Sequence, residues 1–122
     1  MPASRGFPSR SRDPWNSFID VFSDYRFFPL NEGPGGLRPL RLGHIARFVT
    51  DVKKAVEFYT GPLGFRVSDL RTDVGAFLRC GPDHHTINIT QGPRDEIAHI
   101  AFEAKDAGEL NMACDVLARH GF

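Results

Sequence analysis

Cysteine is scarce: Cys80 and Cys114 are the two in 122 residues, and they form no CxxC pair. That argues against a disulfide framework or a thiolate zinc cluster, and the expectation is reduced thiols packed in the core of a cytoplasmic protein. Long apolar runs are missing as well. The longest extend over a few residues, which excludes a spanning helix. No sign of charge prevails, since 15 Lys and Arg balance 15 Asp and Glu. With no basic stripe either, neither nucleic acid nor an anionic membrane is an expected partner. The first residues lack the apolar stretch of a secretory signal and the amphipathic period of a transit peptide, so the expected location is cytoplasmic. At this length one small domain is comfortable and two are not.

What the chain does have is a sentence said twice. Leu42-Gly43-His44-Ile45-Ala46-Arg47-Phe48-Val49-Thr50-Asp51 is echoed by Ile97-Ala98-His99-Ile100-Ala101-Phe102-Glu103-Ala104-Lys105-Asp106. Each copy sets His-Ile-Ala in an apolar run with an Asp seven positions after the His. Each leads into a helix-like segment ending at Gly-Phe, Gly64-Phe65 and Gly121-Phe122. The histidines lie 55 positions apart, the period of an internal duplication.

Taken in order, Met1–Arg12 is polar, rich in Ser, Arg and Pro, and reads as a disordered tail. Asp13-Pro14-Trp15-Asn16 reads as a turn and Phe18–Phe22 as a strand. Tyr25, Phe27 and Phe28 need a surface to bury against. Gly33-Pro34-Gly35-Gly36 then marks a linker and a boundary before Leu40. Arg41–Val49 reads as a strand, and Thr50-Asp51 as the cap of a helix whose apolar face is Val52, Ala55, Val56 and Tyr59. Strands follow over Phe65–Leu70, Val74–Cys80 and His85–Thr90. The second copy repeats only the beginning. Ile97–Glu103 is a strand, and Asp106 with Glu109 opens a helix with Ala107, Leu110, Ala113, Cys114 and Leu117 on its apolar face. The fold class is therefore α+β, built of paired βαβββ units, the first complete and the second reduced to strand and helix. A half-built second sheet predicts a homo-oligomer or a completing chain.

His44 and His99 occupy equivalent places in the two copies, so a two-fold axis between the copies would bring both rings to one concavity. A lone strand histidine is usually a packed or hydrogen-bonded one. A duplicated pair points instead to a metal, and two imidazoles plus a carboxylate suit non-haem Fe(II) and related divalent ions. Asp83-His84-His85-Thr86 follows a Gly-Pro turn. If the strand starts there, His85 shares a face with Ile87 and Ile89 and reaches the same concavity as a general acid or base, while His84 faces away. The alternative is a pair of exposed turn histidines. His120, at a helix C-terminus, suits the helix dipole and nothing more.

Leu42-Gly43-His44, Phe58-Tyr59 with Leu63-Gly64-Phe65-Arg66-Val67-Ser68-Asp69, Phe77-Leu78-Arg79-Cys80 running to Asp83-His84-His85, and His99-Ile100-Ala101-Phe102-Glu103 together resemble the vicinal-oxygen-chelate superfamily of glyoxalases, bleomycin resistance proteins and dioxygenases. The Arg-Cys-x-x-Asp-His-His segment is similar to the extradiol catechol dioxygenases in particular. Residues 40–122 then form a partial domain of that type, and residues 13–39 the tail of a preceding unit plus a linker. The resemblance implies that His44 and His99 bind Fe(II), or Mn(II) or another divalent metal. It implies that His85 is the proton-handling histidine, and that the partners are a small aromatic diol and O2. It also implies a third, Glu ligand late in the second unit, a region these residues do not match. Asp20 stands where that Glu would fall in a closing segment, but it precedes the first copy. A glyoxalase-like isomerase or lyase and a non-catalytic binding protein or inactive remnant are the alternatives.

Overall fold

A computed structural model describes residues 9–23 and 37–122. Two short strands come first, β1 (Ser9–Arg12) and β2 (Phe18–Val21), paired antiparallel with Arg10 opposite Asp20. Ser9–Arg12 is thus a strand and not part of a disordered tail. The Arg10 fork grips Asp20 at 2.6 and 2.7 Å, and the guanidinium groups of Arg10 and Arg12 lie over the Phe18 ring. These cross-strand partners compensate for the polar composition. The turn between the strands starts at Asp13, whose Oδ1 accepts from the backbone N–H of Trp15 and of Ser17. Tyr25, Phe27, Phe28 and the Gly33–Gly36 linker lie outside the described residues.

The main body opens with β3 (Arg41–Val49) and α1 (Val52–Thr60). Asp51 caps α1 by accepting from the Lys54 N–H at 2.9 Å, satisfying a donor the first turn leaves free. Val52, Ala55 and Tyr59 are buried, as their spacing predicts. The helix ends at Gly61, and Gly64 takes the left-handed conformation (φ 69°) that turns the chain into β4 (Arg66–Arg71). Then come β5 (Gly75–Arg79), β6 (Ile87–Gln91), β7 (Glu96–Glu103) and α2 (Ala107–Arg119). Asp106 caps α2 by accepting from the Glu109 N–H.

Strands β3 to β7 form one sheet in the order β4-β5-β6-β3-β7. β3 pairs parallel with β6 and antiparallel with β7, so the first strand of each copy lies beside the other. This is the α+β architecture of one whole βαβββ unit and a second unit of strand and helix. The core sits between α1 and one sheet face, where Val49, Ala76, Leu78 and Ile89 meet Val52, Ala55 and Tyr59. Strand alternation gives that face Ile45, Arg47 and Val49 and turns His44, Ala46 and Phe48 to the other. The second copy lacks such cover among the described residues. No residue of α2 is buried, and Phe102 and Leu110 are 62% and 58% exposed. The expectation of core-packed thiols fails for a related reason. Cys114 lies on α2, Cys80 lies where β5 runs out, and both are exposed. No helix among the described residues is long and apolar enough to cross a membrane.

Candidate metal centre

The β3–β7 register shows how the duplication becomes a site. Ile45 faces Ile100, with His44 opposite Ala101 and Ala46 opposite His99 on either side. Shifting either strand by the repeat of 55 residues exchanges these pairs, so a local two-fold axis runs through the Ile45–Ile100 pair. His44 and His99 are then diagonal neighbours on one face, a relation that long side chains can bridge. Their Nε2 atoms are 3.0 Å apart and their ring centroids 5.2 Å. Without an ion this is an N–H···N hydrogen bond between a protonated and an unprotonated nitrogen. Two nitrogens each about 2.1 Å from one cation and about a right angle apart stand at the same spacing, so the pair fits two adjacent positions of a divalent metal.

His85 joins them by a different route from the one alternation predicts. Strand β6 begins at Ile87, and residues 81–86 form a bend between β5 and β6, pinned where Thr86 donates to Leu78 O and its carbonyl accepts from Ile45 N–H. From that bend the His85 ring lies 4.4 Å from His44 and 4.8 Å from Phe77, centroid to centroid. His84 does not face away. Its Nδ1 is 3.0 Å from that of His85 and its ring also packs on Phe77, because strand alternation does not govern a bend. Burial, and then the neighbouring His44, His84 and His99, hold the His85 pKa below the ordinary imidazole value. Near neutral pH its ring is uncharged and able to accept a proton.

His44, His84 and His85 open on a cleft of about 320 Å³ lined also by Arg41, Asp83, Ala101, Phe102 and Glu103. Both carboxylates there are engaged by one guanidinium. Arg41 donates to Asp83 through Nη1 and Nη2 at 2.6 and 2.9 Å, and to Glu103 through Nε at 2.5 Å. Sequence reasoning missed this group, since pairing across 42 and 62 positions leaves no local signature. Asp20 is not brought to the histidines. It is held by Arg10 and borders a crevice on the α1 side of the sheet with Ile45, Arg47 and Tyr59. Among the described residues no group of three His, Cys, Asp or Glu side chains is placed to hold a metal. His120 lies apart from the His44–His99 pair, as the C-cap of α2.

A sequence model described as the Glyoxalase/Bleomycin resistance protein/Dioxygenase superfamily matches residues 41–122. The chain is 31% identical over 107 residues to Metapyrocatechase 2 of Cupriavidus necator, an alignment covering 76% of this chain and 33% of that protein. It is 37% identical over 89 residues to biphenyl-2,3-diol 1,2-dioxygenase of Pseudomonas sp. strain KKS102, covering 66% of this chain and 30% of that one. The chain thus spans about a third of the length of these curated relatives. Among solved structures, the Mn(II)-bound glyoxalase from Novosphingobium aromaticivorans superposes with a TM-score of 0.75 at 26% identity, over 95% of this chain and 38% of that one.

Proposed function

The chain belongs to the glyoxalase/bleomycin resistance protein/dioxygenase superfamily, and from that premise we propose that it carries the metal-binding and proton-handling part of an extradiol ring-cleaving dioxygenase acting on a catechol-type diol with O2. The observation that carries the reading is the meeting of His44 and His99 at 3.0 Å with the His85 ring tilted against that of His44. The names of the relatives support the same lineage, since they denote a metapyrocatechase and a biphenyl-diol dioxygenase. His44 and His99 would hold Fe(II), with Mn(II) the alternative. The ion would supply a template for the vicinal oxygens and a stabiliser of negative charge.

The roles of the chain's own residues follow from their placement. His85, uncharged and beside the metal pair, accepts a proton from a diol hydroxyl and returns it to the opening ring. Phe77 packs against one side of His85 and limits its rotation. The third ligand that the family resemblance implies would be a carboxylate other than Asp83 and Glu103, which pair with Arg41. Whether a further segment or another copy supplies it, the two-imidazole half is the part built here.

Anaerobic loading with Fe(II), followed by catechol and O2, is the test. A yellow ring-fission product that disappears in the His44→Ala and His99→Ala variants is expected. Metal retained with no colour would favour a glyoxalase-like isomerase or a binding protein, the reading that the Mn(II) glyoxalase likeness supports. Failure to retain any metal would point to an inactive remnant.

A further inference from the structure

We propose that Arg41 is a positioning residue for His85, acting through Asp83, and that this pair fixes the bend bearing His85 relative to the paired strands that bear His44 and His99. The inference rests on the dioxygenase reading for its kinetic consequence, although its structural consequence does not. Arg41 lies three residues before His44 on β3, Asp83 two residues before His85, and Glu103 four residues after His99 on β7. One guanidinium therefore ties together three stretches of chain, each bearing one histidine of the cluster.

The geometry favours positioning over bulk stability. His44 and His99 sit in paired strands, whose ladders fix them without help. His85 sits in a bend that reaches back to β3 on one side through the Thr86 carbonyl, which accepts from Ile45 N–H, and on the other through a two-pronged bond, Nη1 to Oδ2 and Nη2 to Oδ1. A planar fork on a carboxylate fixes orientation as well as distance, which a single point charge cannot do. The same fork holds the Asp83 carboxyl below its usual pKa, by hydrogen bonding first. All three side chains are about half exposed, at 51%, 40% and 45%, so their contribution to global stability is small. A displacement of about 1 Å at a reacting group, however, can cost about 100-fold in rate.

The test compares the unaltered chain with Arg41→Lys, Asp83→Asn and the double variant. Hydrogen exchange at Thr86, the amide of residues 81–86 that donates within the fold, should rise about tenfold or more in each variant, while β5, β6 and the β3–β7 ladder exchange as before and Tm moves by no more than about 5 °C. The double variant should do no more than either single one, because both remove the same link. In the Fe(II)-loaded protein kcat should fall about 10- to 100-fold with metal content and KM unchanged. Unchanged exchange at Thr86, or an equal rise throughout the sheet, would overturn the proposal. A chain with no turnover that still shows the local exchange effect would leave Arg41 as the tether of the bend and count against the dioxygenase reading alone.

Discussion

In the proposed reading His85 is the proton-handling residue, because its ring packs directly on His44 beside the His44–His99 pair. Changing it to Asn should lower kcat by about 10²- to 10⁴-fold, the range for a general acid–base group, while bound metal stays equal to that of the unaltered chain. Equal loss of metal and rate, measured by elemental analysis beside single-turnover colour development, would make His85 a ligand instead. Asp13 carries a second argument at this scale. Its side chain is fully buried, and Arg47 donates to it through Nη1 at 2.6 Å. Burial raises its pKa, but the Arg47 hydrogen bond and the Ser17 and Trp15 backbone donors outweigh that and leave it lowered. A carboxyl lowered in the folded state stabilises fully above its unfolded value of 3.8 and loses that contribution as the pH falls through the folded value. Asp13→Asn should therefore cost on the order of 2 kcal/mol at neutral pH and remove part of the acid dependence below about pH 4, as read by urea unfolding across pH.

At the scale of elements, the order of strands and helices was legible because hydrophobic period, caps and turn residues agree from Arg41 to Arg119. The boundaries erred by one or two residues, and at His84 and His85 that was enough to matter. A strand starting at His85 would send the two rings to opposite faces, whereas the bend observed keeps both near Phe77. Ser9–Arg12 reads as disordered from composition, yet pairs through Arg10–Asp20, a long-range contact that no window over the tail reveals. Exposure of Cys114 was equally hidden, since a helix's apolar face says nothing about whether a partner covers it. Gly75 tests the packing of β5 on β6. A Cβ there would fall 2.2 Å from the Ile89 carbonyl oxygen, whereas Gly81 has nothing within 4 Å of the equivalent point. Gly75→Ala should cost about 1–3 kcal/mol and Gly81→Ala less than about 0.5 kcal/mol in denaturant unfolding.

The molecule as a whole is a duplication caught in one sheet. The repeat of 55 residues made the candidate site legible, because residues equivalent by symmetry must lie equally about the axis. It could not reveal Arg41, which has no counterpart in the second copy: position 96 is Glu. The family resemblance also implied a carboxylate ligand beyond the matched segments, and the two carboxylates that line the cleft among the described residues both pair with Arg41. Everything then depends on whether the two halves act on one ion. Equilibrium titration with Mn(II), comparing the unaltered chain with His44→Ala, His99→Ala and the double variant, measures this directly. One ion per chain, lost equally in all three variants, is the predicted result. Undiminished binding in either single variant would contradict a centre shared between the two copies.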